Sequence, residues 1–320
     1  MPGEGAGGRA YRSARRAAPP TSSCAKRGVG GWRLPTISVV GVKLATLRTG
    51  TSTTAARIEE AGGEAVEVSA ADVGVLLAQA DWPQIAAAAA GTRHSLAEVD
   101  YAPLVPRPGK VVCVGQNYRA HIEEQGAEMP RFPTLFAKYT SALAGARDDI
   151  VLPAVSEAVD WEVELAVIIG WPAYRVGEDE AMKAVAGYAV INDISMRDWQ
   201  FKTSQFLQGK TFDKATPLGP WLVTRDDPEV NEAGMQLSCE INGETVQRGD
   251  TSDLVFGVAQ VVSYISQFTT LRPGDVIATG TPGGSGHFLE PKRYLKDGDL
   301  LVTRVAGLGE CRNLCRREAP

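Results

Sequence analysis

Two short apolar runs carry acids spaced to hold a cation. In Asp160-Trp161-Glu162-Val163-Glu164-Leu165-Ala166-Val167-Ile168-Ile169 the glutamates stand two residues apart. Side chains alternate along a strand, so Glu162 and Glu164 share a face with Ala166 and Ile168. Trp161, Val163, Leu165 and Val167 form the other face. Two carboxylates side by side in so apolar a setting repel, and partial burial raises their pKa unless a cation holds them. A divalent metal meets both conditions; the plainer reading of the pair alone is a strand end with its acids in water. Asp193, within the apolar run Val190-Ile191-Asn192-Asp193-Ile194, adds a third carboxylate. Three carboxylates completed by water or substrate make a hard-oxygen site of the kind Mg²⁺ or Mn²⁺ prefers. Asp193 taken singly reads equally as an N-cap or turn residue, flanked by Asn192 and Ser195.

A second group lies in Val111-Val112-Cys113-Val114-Gly115-Gln116-Asn117-Tyr118-Arg119-Ala120-His121-Ile122-Glu123-Glu124. A strand ends at Gly115 and a helical turn begins near Asn117. His121 and Glu124 are three apart and share a helix face. A carboxylate beside an imidazole raises its basicity and fixes its tautomer, which suits a general base acting on water. The competing reading is a surface His–Glu pair. Cations follow in Arg197-Asp198-Trp199-Gln200 and at Lys210, with Lys138 upstream. Beside a carboxylate–metal cluster they would bind a substrate carboxylate or an enolate; elsewhere they are ordinary surface charges. The run Ala278-Thr279-Gly280-Thr281-Pro282-Gly283-Gly284-Ser285-Gly286-His287 lacks the order of a phosphate loop. Its glycines would let backbone approach a ligand, with Thr281 as donor, or else it is a mobile surface loop.

The elements that position these groups are mostly strands. Runs at 40–47, 53–58 and 65–68, with helix-like segments at 71–78 and 82–90, form a small N-terminal lobe over 37–102. The segment 103–108 (PLVPRP) reads as a linker into a unit spanning 103–320. There, strands are expected at 110–114, 134–137, 162–169, 188–194, 221–224, 236–241, 275–278 and 300–305, with a hairpin turn at Asn242-Gly243. Helices are expected at 179–186 and 254–268. Strands that do not alternate with helices argue for an α+β, strand-dominated fold.

The chain of 320 residues has a net charge of −5 that is unevenly spread. Residues 1–36 carry seven basic residues against Glu4, a charge of +6, so the other 284 residues carry −11. A body that acidic excludes broad binding of nucleic acid or anionic lipid. No apolar run is long enough for a membrane span. The five cysteines form no C-x-x-C pair, and Cys311 and Cys315 read as ordinary thiols of a reducing cytoplasm rather than a metal or redox pair. The basic leader has the composition of an organellar transit peptide. It lacks an amphipathic apolar face, so a disordered leader on a cytoplasmic protein is expected.

Together, the segments VGQNYRAHIEE, FPTLFAK, DWEVELAVIIG, VINDISMRDWQ, QGKTFDKATPLGPW, LRPGDVIATGTPGG and DGDLLVTRVAGLGE resemble the fumarylacetoacetate hydrolase family, in family order. The resemblance implies a mixed β-roll or distorted sandwich, a homodimer, and Mg²⁺ or Mn²⁺ held by Glu162, Glu164 and Asp193. It makes His121 and Glu124 a water-activating dyad on a lid and turns Lys210 toward a substrate oxygen. Arg197, Gln200, Thr281 and Lys138 would line the substrate. Fumarylacetoacetase proper has a further acidic ligand ahead of the first catalytic segment; Gly115-Gln116-Asn117-Tyr118 offers none. The chain therefore resembles the acylpyruvase and 2-oxo-diacid branch.

That resemblance implies a small 2-oxo acid substrate whose enolate is held by a cationic centre. The expected reaction is hydrolysis of an acylpyruvate such as fumarylpyruvate to pyruvate and a carboxylic acid, in aromatic or small-acid catabolism. It rests on the His121–Glu124 dyad. The same enolate serves an oxaloacetate-type decarboxylase or an isomerase of an unsaturated 2-oxo diacid, and these are the alternatives. A ligand-binding dimer without activity is the reading from a different class.

Overall fold

The computed structural model describes residues 41–124 and 126–319. The basic leader and Cys24 lie outside the described residues. Strand Val163–Ile169 is buried on both faces, and its alternation splits it between two cores. Val163, Leu165, Val167 and Ile169 enter one cluster, Ala166 and Ile168 the other. On one side it pairs antiparallel with Val185–Asn192, and on the other with Val276–Ala278. Beyond Val276–Ala278 come Val111–Gly115, parallel, and Thr134–Lys138, antiparallel.

The first strands of the chain extend this same sheet. Lys43–Thr49 pairs antiparallel with Thr216–Thr224, with Lys43 opposite Val223 and Leu44 opposite Leu222. Ser52–Glu59, Glu64–Glu67 and Arg93–Ser95 follow outward. Two short helices, Val73–Leu77 and Trp82–Ala87, add Leu76, Leu77 and Trp82 to the cluster on one face of the sheet. The first is capped by Asp72, whose carboxylate accepts the Val75 N–H at 2.8 Å. The stretch 103–108, expected as a linker, is packed: Leu104 and Val105 are buried, and the Leu104 N–H donates to the Leu218 carbonyl at 3.0 Å.

A five-stranded sheet supplies the second core. Its order is Glu244–Asp250, Gln236–Ile241, Leu300–Val305, Gly309–Arg317 and Ile150–Leu152. Leu237, Ile241, Leu301, Cys311 and Cys315 from it join the cluster of Val163 and Leu165. The Asn242-Gly243 turn has φ of 54° and 84°, the two positive values a tight hairpin needs. The long helix is Val258–Ser266, shorter than the expected 254–268. Its expected first turn is diverted, because the N–H groups of Val255 and Phe256 both donate to Asn117 at 2.8 Å. The other expected helix is Glu178–Ala181 with a 3₁₀ turn, and strand takes over at Val185. Cys113, Cys239, Cys311 and Cys315 are buried, free thiols. Among the described residues no helix is long and apolar enough to cross a membrane. The fold is the strand-rich α+β arrangement with mixed sheets that the sequence pointed to.

Candidate active site

The three acids meet where two central strands end together. Glu162 directly precedes Val163–Ile169, and Asp193 directly follows Val185–Asn192 rather than lying inside the strand. The Asp193 N–H donates to the Glu162 carbonyl at 2.9 Å, closing the strand pair. The Glu162 N–H donates to the Asn192 side-chain oxygen, also at 2.9 Å. This register brings one oxygen each of Glu162, Glu164 and Asp193 within 4.8 Å of one another, all three residues buried.

Cations interleave with the acids. Lys210 Nζ lies 2.5 Å from Glu162 Oε2 and 2.9 Å from Asp193 Oδ2. Arg197 donates to Glu162 Oε1 at 2.5 Å, to Gln200 at 2.8 Å and to Asp160 at 2.8 Å. Lys138 pairs with the other oxygen of Asp193. Burial opposes charge on both Asp193 and Lys210, but their neighbours outweigh it. Lys138 and Lys210 hold Asp193 down at about 2, and Asp193 and Glu162 raise Lys210, keeping it protonated.

Glu164 is the exception. Burial first, then the charges of Asp193 and Glu162, push its carboxyl well above the ordinary range. Its Oε2 accepts the Gly280 N–H at 2.7 Å, and among the described residues no Lys or Arg lies within ion-pair distance of it. A buried carboxyl that needs a cation, beside two others within 4.8 Å, suits a divalent hard metal.

Glu162, Glu164, Arg197, Gln200, Lys210, Thr281 and His121 border one cavity of about 690 Å³, its mouth included. Phe136, Phe206 and Phe288 give it an apolar wall. Lys138 and Asp193 stand behind that lining with fully buried side chains. His121 lies on helix Arg119–Glu124, its Nδ1 3.3 Å from Glu124 Oε2 and its ring edge-on to Phe288 at 5.3 Å. The Thr281 hydroxyl donates to the Val163 carbonyl at 3.0 Å and accepts from Gln247 at 2.9 Å.

Three supporting residues escaped the sequence reading. Asn192 bridges sheets: its side-chain amide also donates to Thr303 at 2.8 Å. Gln247, from the second sheet, accepts the Val163 N–H at 3.0 Å while holding Thr281. Asp160 grips Arg197. Asn192 and Asp160 flank the acids in the very runs that drew notice; for Gln247 no local pattern marks the contact.

Residues 110–316 match the fumarylacetoacetate (FAA) hydrolase C-terminal family. The chain belongs to that family. A human relative, the mitochondrial oxaloacetate tautomerase FAHD2A, is 46% identical over 217 residues, which are 66% of this chain and 68% of the relative. Among solved structures, 2-hydroxyhepta-2,4-diene-1,7-dioate isomerase from Mycobacterium marinum is 31% identical with a TM-score of 0.72. Fumarylacetoacetate hydrolase from Exiguobacterium antarcticum is 30% identical with a TM-score of 0.76. Each superposition covers 87% of this chain and 100% of the other. The chain is thus an enzyme of the fumarylacetoacetate hydrolase family with a buried acidic triad suited to a divalent metal. These relatives are a tautomerase, an isomerase and a hydrolase, so the family does not single out acylpyruvate cleavage.

Proposed function

We propose that this enzyme moves a proton on a small 2-oxo diacid, interconverting the keto and enol forms of oxaloacetate or isomerising an unsaturated 2-oxo diacid. Glu162, Glu164 and Asp193 would hold Mg²⁺ or Mn²⁺, which when bound supplies Lewis acidity toward the substrate's carboxylate and keto oxygens. The observation that carries the reading is Lys210, kept protonated between Glu162 and Asp193 in the cavity that His121 also borders. A fixed ammonium donates to an oxygen as enolate charge develops there. His121 Nε2, with Nδ1 turned to Glu124, takes the proton from the adjacent carbon. It delivers that proton to the keto oxygen to give the enol, or to the far carbon of the dienolate in isomerisation, and the reverse transfer restores the keto form. Phe136, Phe206 and Phe288 keep water from the enolate. Lys138, behind the wall, balances the charge of Asp193.

Proton transfer is preferred to cleavage because the 46% identical human relative is named for oxaloacetate tautomerisation and a solved neighbour for isomerisation. Acylpyruvate hydrolysis remains the second reading, since the His121–Glu124 pair would equally activate a water. Decarboxylation of oxaloacetate uses the same enolate. The test follows enol-to-keto conversion of oxaloacetate and cleavage of fumarylpyruvate side by side, with Mg²⁺, Mn²⁺ and chelator. Metal-dependent tautomerisation outpacing cleavage is expected; faster cleavage would restore the hydrolase. The relative's mitochondrial label also favours the transit-peptide reading of the basic leader over the cytoplasmic one. Sequencing the mature N-terminus checks this, and light scattering checks the homodimer.

A further inference from the structure

Asp160, in strand Val159–Asp160, is fully buried and does not border the cavity. Its carboxylate accepts four hydrogen bonds. Oδ1 takes the N–H groups of Trp161 at 2.9 Å and Gly286 at 2.7 Å. Oδ2 takes Arg197 Nε at 2.8 Å and the His287 N–H at 3.1 Å. All four lone-pair sites of the carboxylate are thereby used. The donors come from three separate stretches of chain, so the residue does more than balance a charge. A buried ion pair is in any case a weak stabiliser.

Both elements that Asp160 ties together reach the catalytic groups. Arg197 continues to Glu162, one of the candidate metal ligands. The turn Gly286–Phe288 carries the Phe288 ring, 5.6 Å from the Arg197 guanidinium and 5.3 Å from the His121 ring. We infer that Asp160 is a positioning residue: through Arg197 it sets Glu162, and through the Gly286–Phe288 turn it sets the wall on which His121 packs. The inference rests on the roles proposed above for Glu162 and His121.

Asp160→Asn separates this role from simple packing. An amide offers one acceptor oxygen, so if it keeps Trp161 and Gly286, its NH₂ faces two donors at Arg197 and His287. Turnover of enol-oxaloacetate is expected to fall about a hundredfold, the scale of a misplaced catalytic group. Mg²⁺ affinity, measured by calorimetry without substrate, should fall as well. In an Arg197→Gln background the added Asp160→Asn change should have little further effect on Mg²⁺ affinity, because both reach Glu162 through one contact, while turnover falls further through the Gly286–Phe288 turn. Additive losses of Mg²⁺ affinity would overturn the inference, as would wild-type turnover and Mg²⁺ affinity in Asp160→Asn. Should that variant fail to fold, Arg197→Lys keeps the charge but loses the guanidinium fork; wild-type Mg²⁺ affinity there would equally overturn it. If the wild type turns over no 2-oxo diacid while the Mg²⁺ affinities remain non-additive, the proposed reaction falls and the positioning role stands.

Discussion

The side-chain oxygen of Asn192 accepts the backbone N–H of Glu162 at 2.9 Å. The same amide donates to Thr303 in the second sheet, so one residue fixes a metal-ligand candidate against both sheets. Asn192→Ala leaves the buried Glu162 N–H and the Thr303 hydroxyl short of a partner. Chemical denaturation should show a loss of about 1–3 kcal/mol. Mg²⁺ titration should show weaker binding, because Glu162 is no longer held in register.

Glu164 holds the least favourable charge in the site when no cation is bound, through burial first and then the repulsion of Asp193 and Glu162. Glu164→Gln removes that charge, so the chelator-treated variant should melt above the chelator-treated wild type. Its native pKa lies above the unfolded value, so ionisation costs the wild type stability as pH rises from the unfolded carboxyl range, about 4.3, toward the raised native one. The gap between the two melting temperatures should widen over that window. Adding Mg²⁺ should stabilise the wild type and leave the variant nearly unchanged.

Gly280 brings its N–H to Glu164 Oε2 at 2.7 Å with φ of +102°. A Cβ there would sit 2.9 Å from Asn117 Cβ and 3.0 Å from the Val114 carbonyl oxygen. Gly280→Ala should therefore cost about 1–3 kcal/mol in backbone strain, read by denaturant midpoint. Its Mg²⁺ affinity should fall in parallel.

His121 is buried at the cavity wall and meets Glu124 at 3.3 Å. His121→Ala should lower kcat for oxaloacetate tautomerisation by about 10²–10⁴, the usual contribution of a positioned base. Calorimetric Mg²⁺ affinity should stay within a fewfold of the wild type, since the imidazole is no part of the acidic triad. Unchanged kcat would remove His121 from the proton transfer.

The period-two alternation made Glu162 and Glu164 legible, because an apolar strand leaves little doubt about which residues share a face. Asp193 was legible as an acid at an apolar run, but its place just past the strand depends on its N–H reaching the Glu162 carbonyl. Strand Thr216–Thr224 was only half visible: Pro217, Gly219 and Pro220 read as turn residues, yet tertiary pairing carries the strand through them. Strand Gly309–Arg317 was missed because its inward face is Cys311, Asn313 and Cys315, with a buried polar residue interrupting the apolar pattern. Prolines likewise concealed the burial of Leu104 and Val105. Partners far apart in sequence, such as Gln247 and Thr281, leave no local trace.

The shared sheet bears on how this chain tolerates shortening. Lys43–Thr49 pairs with Leu222 and Val223 of Thr216–Thr224, which in turn flanks the strand ending at Asn192. Beginning the polypeptide after residue 102 would leave the Leu222–Val223 end of Thr216–Thr224 as an unpaired, apolar edge. Such an edge is a template for self-association. A truncated catalytic segment is thus expected to aggregate before it loses chemistry, and the N-terminal strands serve as its solubility cover.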